Sequence, residues 1–259
     1  MKFYKYQGTG NDFVMIDNRE NVVLPTNINK TIASWCHRRM GIGADGVILF
    51  EKSKNTDFRM VYFNADGNPG SMCGNGGRCI IQFAKDLGVI QDSTIFEAVD
   101  GIHHGKILDN GSVALKMKDV EEIEIIDEKS YVLNTGSPHY IQFCEMIPED
   151  VYSHGKKIRY SPLYMQHGIN VNFIKVEAEN SLTVATYERG VEDETYSCGT
   201  GVTAAAISYI HKSGLLGPHQ IQIKTKGGPL TISINKKSSS AYDEIWLIGP
   251  AIKVFEGIM

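Results

Sequence analysis

Two stretches decide the fold: "SMCGNGGRC" at 71–79 and "YSCGTGVTAAAISYI" at 196–210. Each sets a cysteine, Cys73 or Cys198, at the head of a glycine-rich turn that runs straight into an apolar segment. After the first, Ile80, Phe83, Ala84 and Leu87 fall at helical spacing. In the second, nearly every position from Val202 to Ile210 is apolar or small, which predicts a helix buried on most sides. Both segments run out at a glycine, Gly88 and Gly214, as helix ends commonly do.

The two junctions are not the only repeated pieces. "TGNDFVMI" from Thr9 matches "TGSPHYIQ" from Thr135 at an offset of 126, and "GIGAD" from Gly41 matches "GINVN" from Gly168 at 127. "NADG" at 64–67 matches "YERG" at 187–190 at 123, and the cysteines themselves are 125 apart. Four matches in one order at nearly constant offset point to two copies of one unit. Around the helices lie short strand patterns: "FVMID", "GVILFE", "FRMVYFN", "SVALKMK", "YIQFCEM", "NVNFIKVE", "LTVATYE", "IQIKTKG" and "LTISIN". "KTIASWCHRRM" at 30–40 reads as a third helix. The expected architecture is therefore α+β, in two pseudo-symmetric domains, each with several strands around a central helix. The boundary is expected near the acidic stretch "DVEEIEIIDEKS", giving halves 1–119 and 120–249. Such symmetry would bring the two thiols to opposite sides of a common ligand.

Composition excludes several functions. The chain has 259 residues, a net charge of −4 and 42% hydrophobic content, with no basic stripe for nucleic acid. "MKFYKYQGTGNDF" lacks the apolar core of a signal peptide, and no apolar run approaches the roughly 18 residues of a membrane span. Five cysteines, at 36, 73, 79, 144 and 198, argue against a disulfide framework and for a reducing compartment. Cys36, Cys79 and Cys144 read as small buried apolar residues.

Cys73 and Cys198 do not. A thiol has a pKa near 8.5, and the N–H groups of a helix amino terminus lower it. The same groups hold a carboxylate, and the glycines at 74, 76, 77, 199 and 201 let a ligand approach the backbone. One thiol can remove a proton from a carbon while the other returns one to the opposite face, which inverts the centre. Other readings explain less. Five residues between Cys73 and Cys79 are not the C-x-x-C of thiol oxidoreductases. His37, His103 and His104 lack the paired spacing of zinc ligands, so no metal is expected. Cys73 as a lone nucleophile with His139 as its base leaves Cys198 without a role. "GIGADG" at 41–46 satisfies G-x-G-x-x-G literally, but a helix precedes it and a strand follows, the reverse of a dinucleotide site.

In order and spacing, "GTGNDF", "GIGADG", "NADG", "MCGNGGRC", "NVNF", "YERG" and "SCGTG" resemble the diaminopimelate epimerase family, from Gly8 to about Gly214. The resemblance implies a cofactor-independent isomerase that interconverts LL- and meso-2,6-diaminopimelate in bacterial cytoplasm, for lysine and peptidoglycan-precursor synthesis. It implies two β-barrel-like halves each wrapped on a central helix, a terminal strand 250–259 returning to the first half, and a homodimer. Cys73 and Cys198 would be the two bases. Gly74, Asn75, Gly199 and Thr200 would hold the reacting carboxylate, and Asn11, Asn64, Asn170 and Arg189 the distal end of the substrate. Glu188 and His139 match assisting catalytic positions, Glu188 also pairing with an ammonium. Each also has a plainer reading: Asn11 and Asn64 as turn residues, Asn170 as a bridge between backbone groups, Glu188 and Arg189 as a surface ion pair, His139 as a loop residue. Arg78, a cation in the first turns of a helix, calls for an acidic partner. Ser137 stands where many members carry Asn, and the "VEDETYS" run before Cys198 is one residue longer than usual. Two further readings remain: a proline or hydroxyproline racemase, and an amino-acid-binding protein without catalysis.

Overall fold

The computed structural model describes residues 1–20 and 27–259. The chain divides into two compact units, Met1–Leu115 with Gly249–Met259, and Lys116–Ile248.

Strand character follows from side-chain alternation and from continuous apolar runs. In the first unit, β1 (Lys2–Gly8), β2 (Asn11–Asp17), β3 (Gly46–Glu51), β4 (Phe58–Asn64), β5 (Ser93–Ala98), β6 (Gly101–Ile107) and β7 (Val113–Lys116) pair in chain order, and the terminal strand returns to pair with β1. β2 against β3 and β4 against β5 are parallel; the other neighbours are antiparallel. Helix α1 (Ile28–Cys36) connects the first parallel pair and α2 (Gly74–Asp86) the second. The runs "FVMI" and "VILF" are buried throughout because both faces of β2 and β3 are covered. Val14, Ile16, Val47 and Leu49 pack with Ile32 and Cys36 of α1. The other face meets α2, where Ile48 and Phe13 come close to Gly76.

The second unit repeats this plan. Strands β8 (Glu124–Ile125), β9 (Ser130–Asn134), β10 (Pro138–Phe143), β11 (Asn170–Ala178), β12 (Ser181–Glu188), β13 (Asp193–Thr195), β14 (Gly217–Thr225), β15 (Gly228–Lys236) and β16 (Tyr242–Gly249) carry helices α3 (Val151–Arg159) and α4 (Gly199–Ser213). Again two neighbours are parallel, β10 with β11 and β12 with β14, and again a helix makes each parallel crossover. The fold is thus an internally duplicated α+β architecture. Helix α4 is apolar nearly all round because β9, β10, β11, β12, β14 and β15 all pack against it. Helix α2 is likewise met by β1, β2, β3, β6 and the terminal strand, β17 (Ile252–Ile258).

Some elements differ from expectation. Helix α1 stops at Cys36, because the His37 ring accepts the Met40 N–H (3.0 Å) and "HRRM" becomes a turn. Both central helices end at a left-handed glycine as expected: Gly214 caps α4, and Gly88 (φ 70°) follows the Leu87 cap of α2, its N–H on the Lys85 carbonyl at 2.9 Å. Cys144 is half-buried just past β10 rather than in the core. Helix α3 lacks a strong apolar stripe, and its start is set by the Asp150 carboxylate accepting the Ser153 N–H at 2.9 Å.

Candidate active site

Both cysteines occupy the N-cap position of the central helix of their unit, in extended backbone (φ −109°, ψ 128° for Cys73; φ −121°, ψ 113° for Cys198). A Ser, Thr, Asp or Asn there would spend its side chain on the first-turn N–H groups. Neither sulfur does so, and neither first turn carries an acid to offset the partial positive charge of its amides. Cys73 is half-buried and Cys198 buried.

In the first unit the Cys73 sulfur lies 3.6 Å from Asn11 Oδ1, which also accepts from Asn75 Nδ2 (3.3 Å). Asn11 Nδ2 donates to Asp45 Oδ2 at 2.6 Å. A carboxylate can only accept, so the Asn11 amide is oriented with its oxygen toward the thiol. Asp45 is fixed in turn: it shares Arg38 with Asp12, and Asp12 also pairs with Lys5 at 2.7 Å. Burial raises the Asp12 pKa, but Arg38 and Lys5 outweigh it and hold this carboxyl below its ordinary range. Asn64 stands apart from this network. It ends β4 with its side chain exposed, and its backbone closes a turn with Gly67 and Asn68.

Arg78 does not have the expected acidic partner. Its side chain is fully buried and donates to four neutral oxygens: the carbonyls of Gly74 (3.3 Å) and Pro250 (3.4 Å), Thr9 Oγ1 (3.2 Å) and Asn75 Oδ1 (3.0 Å).

In the second unit a hydrogen-bond relay reaches Cys198. The carbonyl of Tyr140 accepts from Asn172 Nδ2 (3.1 Å), and Thr186 Oγ1 donates to Asn172 Oδ1 (2.9 Å), which fixes the amide. The same Nδ2 faces His139 Nδ1 at 3.0 Å, so Nδ1 accepts and the proton resides on Nε2. Nε2–H then donates to Thr200 Oγ1 (2.9 Å), leaving the Thr200 hydroxyl proton to point at Cys198 Sγ, 3.4 Å away. Burial, and next the charge of Arg189, lower the His139 pKa to about 3. The ring is neutral at working pH and serves as an orienting group. Gly201 is required under this relay, since a Cβ there would meet Asn172 Oδ1 at 2.4 Å.

Asn170 is a bridge: Nδ2 donates to Ser137 Oγ (2.9 Å) and the Pro138 carbonyl (3.1 Å), and Oδ1 accepts the Arg189 N–H (2.9 Å). Glu188 is half-buried at the end of β12. The Arg189 side chain is exposed beyond it, with Nη1 on the His167 carbonyl at 3.0 Å. The run before Cys198 forms a hairpin in which β13 pairs back on β12. Burial pushes the other thiols up, Cys36 to about 11 and Cys79 to about 12, with Cys144 also raised. These three are structural thiols. Among the described residues no His, Cys, Asp and Glu cluster could hold a metal ion.

The diaminopimelate epimerase family matches residues 3–123 and 131–254. The chain belongs to this family. A diaminopimelate epimerase of Flavobacterium psychrophilum is 51% identical over 257 residues, covering 99% of both chains. One from Hydrogenobaculum sp. is 38% identical over 278 residues, covering 100% of this chain and 98% of that one. Solved structures share the fold at low identity: a PhzF-family phenazine biosynthesis protein of Bacillus anthracis (TM-score 0.77, 14% identity, 100% and 99% coverage) and a hydroxyproline epimerase of Agrobacterium vitis (0.71, 14%, 99% and 91%). Diaminopimelate epimerases are isomerases, and the solved structures share the fold of this chain over nearly its whole length.

Proposed function

We propose that the chain interconverts LL- and meso-2,6-diaminopimelate without a cofactor, with Cys73 and Cys198 as its two bases. The observation that carries this reading is the matched pair of thiols at uncapped helix starts in a chain 51% identical to a diaminopimelate epimerase. The reacting carboxylate rests on the first-turn amides around Gly74, Asn75, Gly199 and Thr200, which stabilise the charge that develops as the α-proton leaves. One cysteine takes that proton as thiolate and the other delivers its own as thiol, the roles reversing with direction. Asn11, Asn64, Asn170, Glu188 and Arg189 serve the distal amino-carboxylate end, where the exposed Arg189 guanidinium suits a carboxylate.

The enzyme acts in the cytoplasm. None of its described helices is long and apolar enough to cross a membrane. It forms a homodimer, a reading supported by the exposed apolar side chains Ile252, Val254, Phe255 and Ile258 on the terminal strand. Sedimentation should give twice the chain mass; a monomer at micromolar concentration removes the dimer. For the reaction, the enzyme in deuterated water without pyridoxal phosphate should place deuterium at the α-carbon of diaminopimelate. Exchange of proline instead would reassign the substrate, and exchange of neither would leave a binding protein.

A further inference from the structure

We propose that Glu192 is a positioning residue, whose carboxylate ties the loop after β12 to helix α3 and so holds the Arg189 guanidinium in place for the distal end of the substrate. The proposal rests on the distal role given to Arg189 above and adds the group that fixes it.

Glu188 pairs with Asp193 across the hairpin, so Arg189, Gly190, Val191 and Glu192 form its loop. A short surface loop carrying an exposed arginine loses conformational entropy when it is ordered, and contacts must offset that loss. The backbone is pinned at both ends: the Glu192 N–H donates to the Glu188 carbonyl at 2.7 Å, and the Arg189 N–H to Asn170 Oδ1 at 2.9 Å. Gly190 and Glu192 both have positive φ, 93° and 57°. The first suits glycine. The second is uncommon in a glutamate and persists where surrounding contacts over-determine it.

The Glu192 carboxylate makes those contacts. Oε1 accepts the Gly190 N–H (3.1 Å) and faces Arg159 Nη2 (3.2 Å), and Oε2 accepts the Tyr187 hydroxyl (3.1 Å). The Tyr160 hydroxyl bonds to it as well. Arg159 is the last residue of α3, Tyr160 is its C-cap, and Tyr187 is buried in β12. One carboxylate therefore joins the loop, the helix end and the strand. Burial alone would raise the Glu192 pKa, but the Gly190 N–H, Tyr160, Arg159 and Tyr187 outweigh it and hold this carboxyl below its ordinary range.

The same cluster reaches Arg189. Gly168 (φ 73°) lies against both arginine side chains: a Cβ there would meet Arg189 Cδ at 2.5 Å and Arg159 Cζ at 2.8 Å. The Arg189 stem thus packs beside the Arg159 head over bare backbone, and its Nη1 donates to the His167 carbonyl at 3.0 Å. Two like charges so placed repel, and the Glu192 carboxylate offsets the Arg159 charge, which lets Arg189 stay beside it.

Two variants of the full chain test this. Glu192→Gln keeps the shape, and Glu192→Gly suits the backbone but lacks the carboxylate. Amide hydrogen exchange read by mass spectrometry without substrate should be faster across 188–193 in both, and unchanged in helix α4. With diaminopimelate, KM should rise about tenfold, the worth of one charge-assisted hydrogen bond, while kcat falls far less. Tyr187→Phe removes one donor and should move exchange and KM the same way by less; it decides the matter if neither Glu192 variant folds. Faster exchange with an unchanged KM would make Glu192 a structural tie only and overturn the proposal. Unchanged exchange would overturn it too, as would a KM that falls, the result of added positive charge alone. A wild-type chain that converts no diaminopimelate sinks the reaction assigned above, and the hold of Glu192 on the loop is then decided by exchange.

Discussion

The helix starts of the two units share a backbone and differ in what supports the sulfur. Cys73 has an amide oxygen in front of it, fixed by Asp45, and a buried cation behind the turn. Cys198 has a hydroxyl aimed at it through Asn172, His139 and Thr200. A duplicated unit that evolved for symmetrical chemistry would carry the same supports twice. The backbone geometry, an N-cap thiol in extended conformation, is common to both units, while the side chains that meet each sulfur differ.

The largest expected effect removes what the halves share. Cys73→Ala and Cys198→Ala should each lower inversion by about three orders of magnitude or more, in the range of losing a positioned acid–base group. Near-normal inversion by either variant would show that one half suffices. Next comes the support found only in the second half. Asn172→Ala leaves the Tyr140 carbonyl and the Thr186 hydroxyl without their partner, at a cost of about 2–3 kcal/mol. It also releases His139 to the other tautomer, so kcat should fall roughly tenfold while Cys73 alkylation is unchanged. A parallel change at both cysteines would mean the relay is not local to its half.

His139 gives a pH signature. Its folded pKa of about 3 lies below the unfolded value of about 6.5. Below 6.5 the unfolded chain therefore binds a proton that the folded chain refuses. Stability should fall as pH drops from about 6.5 toward 3, and His139→Gln should flatten this part of the denaturation profile. An acid limb equally steep in the variant would assign it to other groups. Smallest is Thr203→Val, which removes the hydroxyl bond to Gly199. It should cost about 1 kcal/mol, seen as a drop of a few degrees in Tm, with the Cys198 alkylation midpoint unmoved.

Much of this could be read from the chain. The repeated cysteine–glycine turns named the two central helices and their buried character, and the strand runs gave most of the sheet. The offset of "GIGAD" to "GINVN" misplaces the repeat by three residues, because the strands that follow begin at Gly46 and Asn170, 124 apart. Strands such as "GIHHGKI" and "YDEIWLIG" mix polar and apolar residues without a clean run, and only their pairing partners define them. Asn172 carried a signal that pointed past Asn170: two positions along a strand it shares the same face, and an asparagine there needs partners once buried. Asp45 sat in plain view in "GADG", but its bond to Asn11 spans 34 residues of chain and is set by tertiary packing alone. Arg78 misled for a physical reason. A cation in the first turns of a helix asks for a carboxylate, and the fold satisfied its donors with neutral oxygens instead.

The reaction itself offers the most direct test of two thiols working in sequence. LL-diaminopimelate is mixed with the enzyme in deuterated water and sampled before equilibrium. With two bases, the meso product should carry one solvent deuterium at the inverted centre while the remaining LL pool keeps its protium. Deuterium entering substrate and product at the same early rate would mean that a single group serves both faces, and the account would fail.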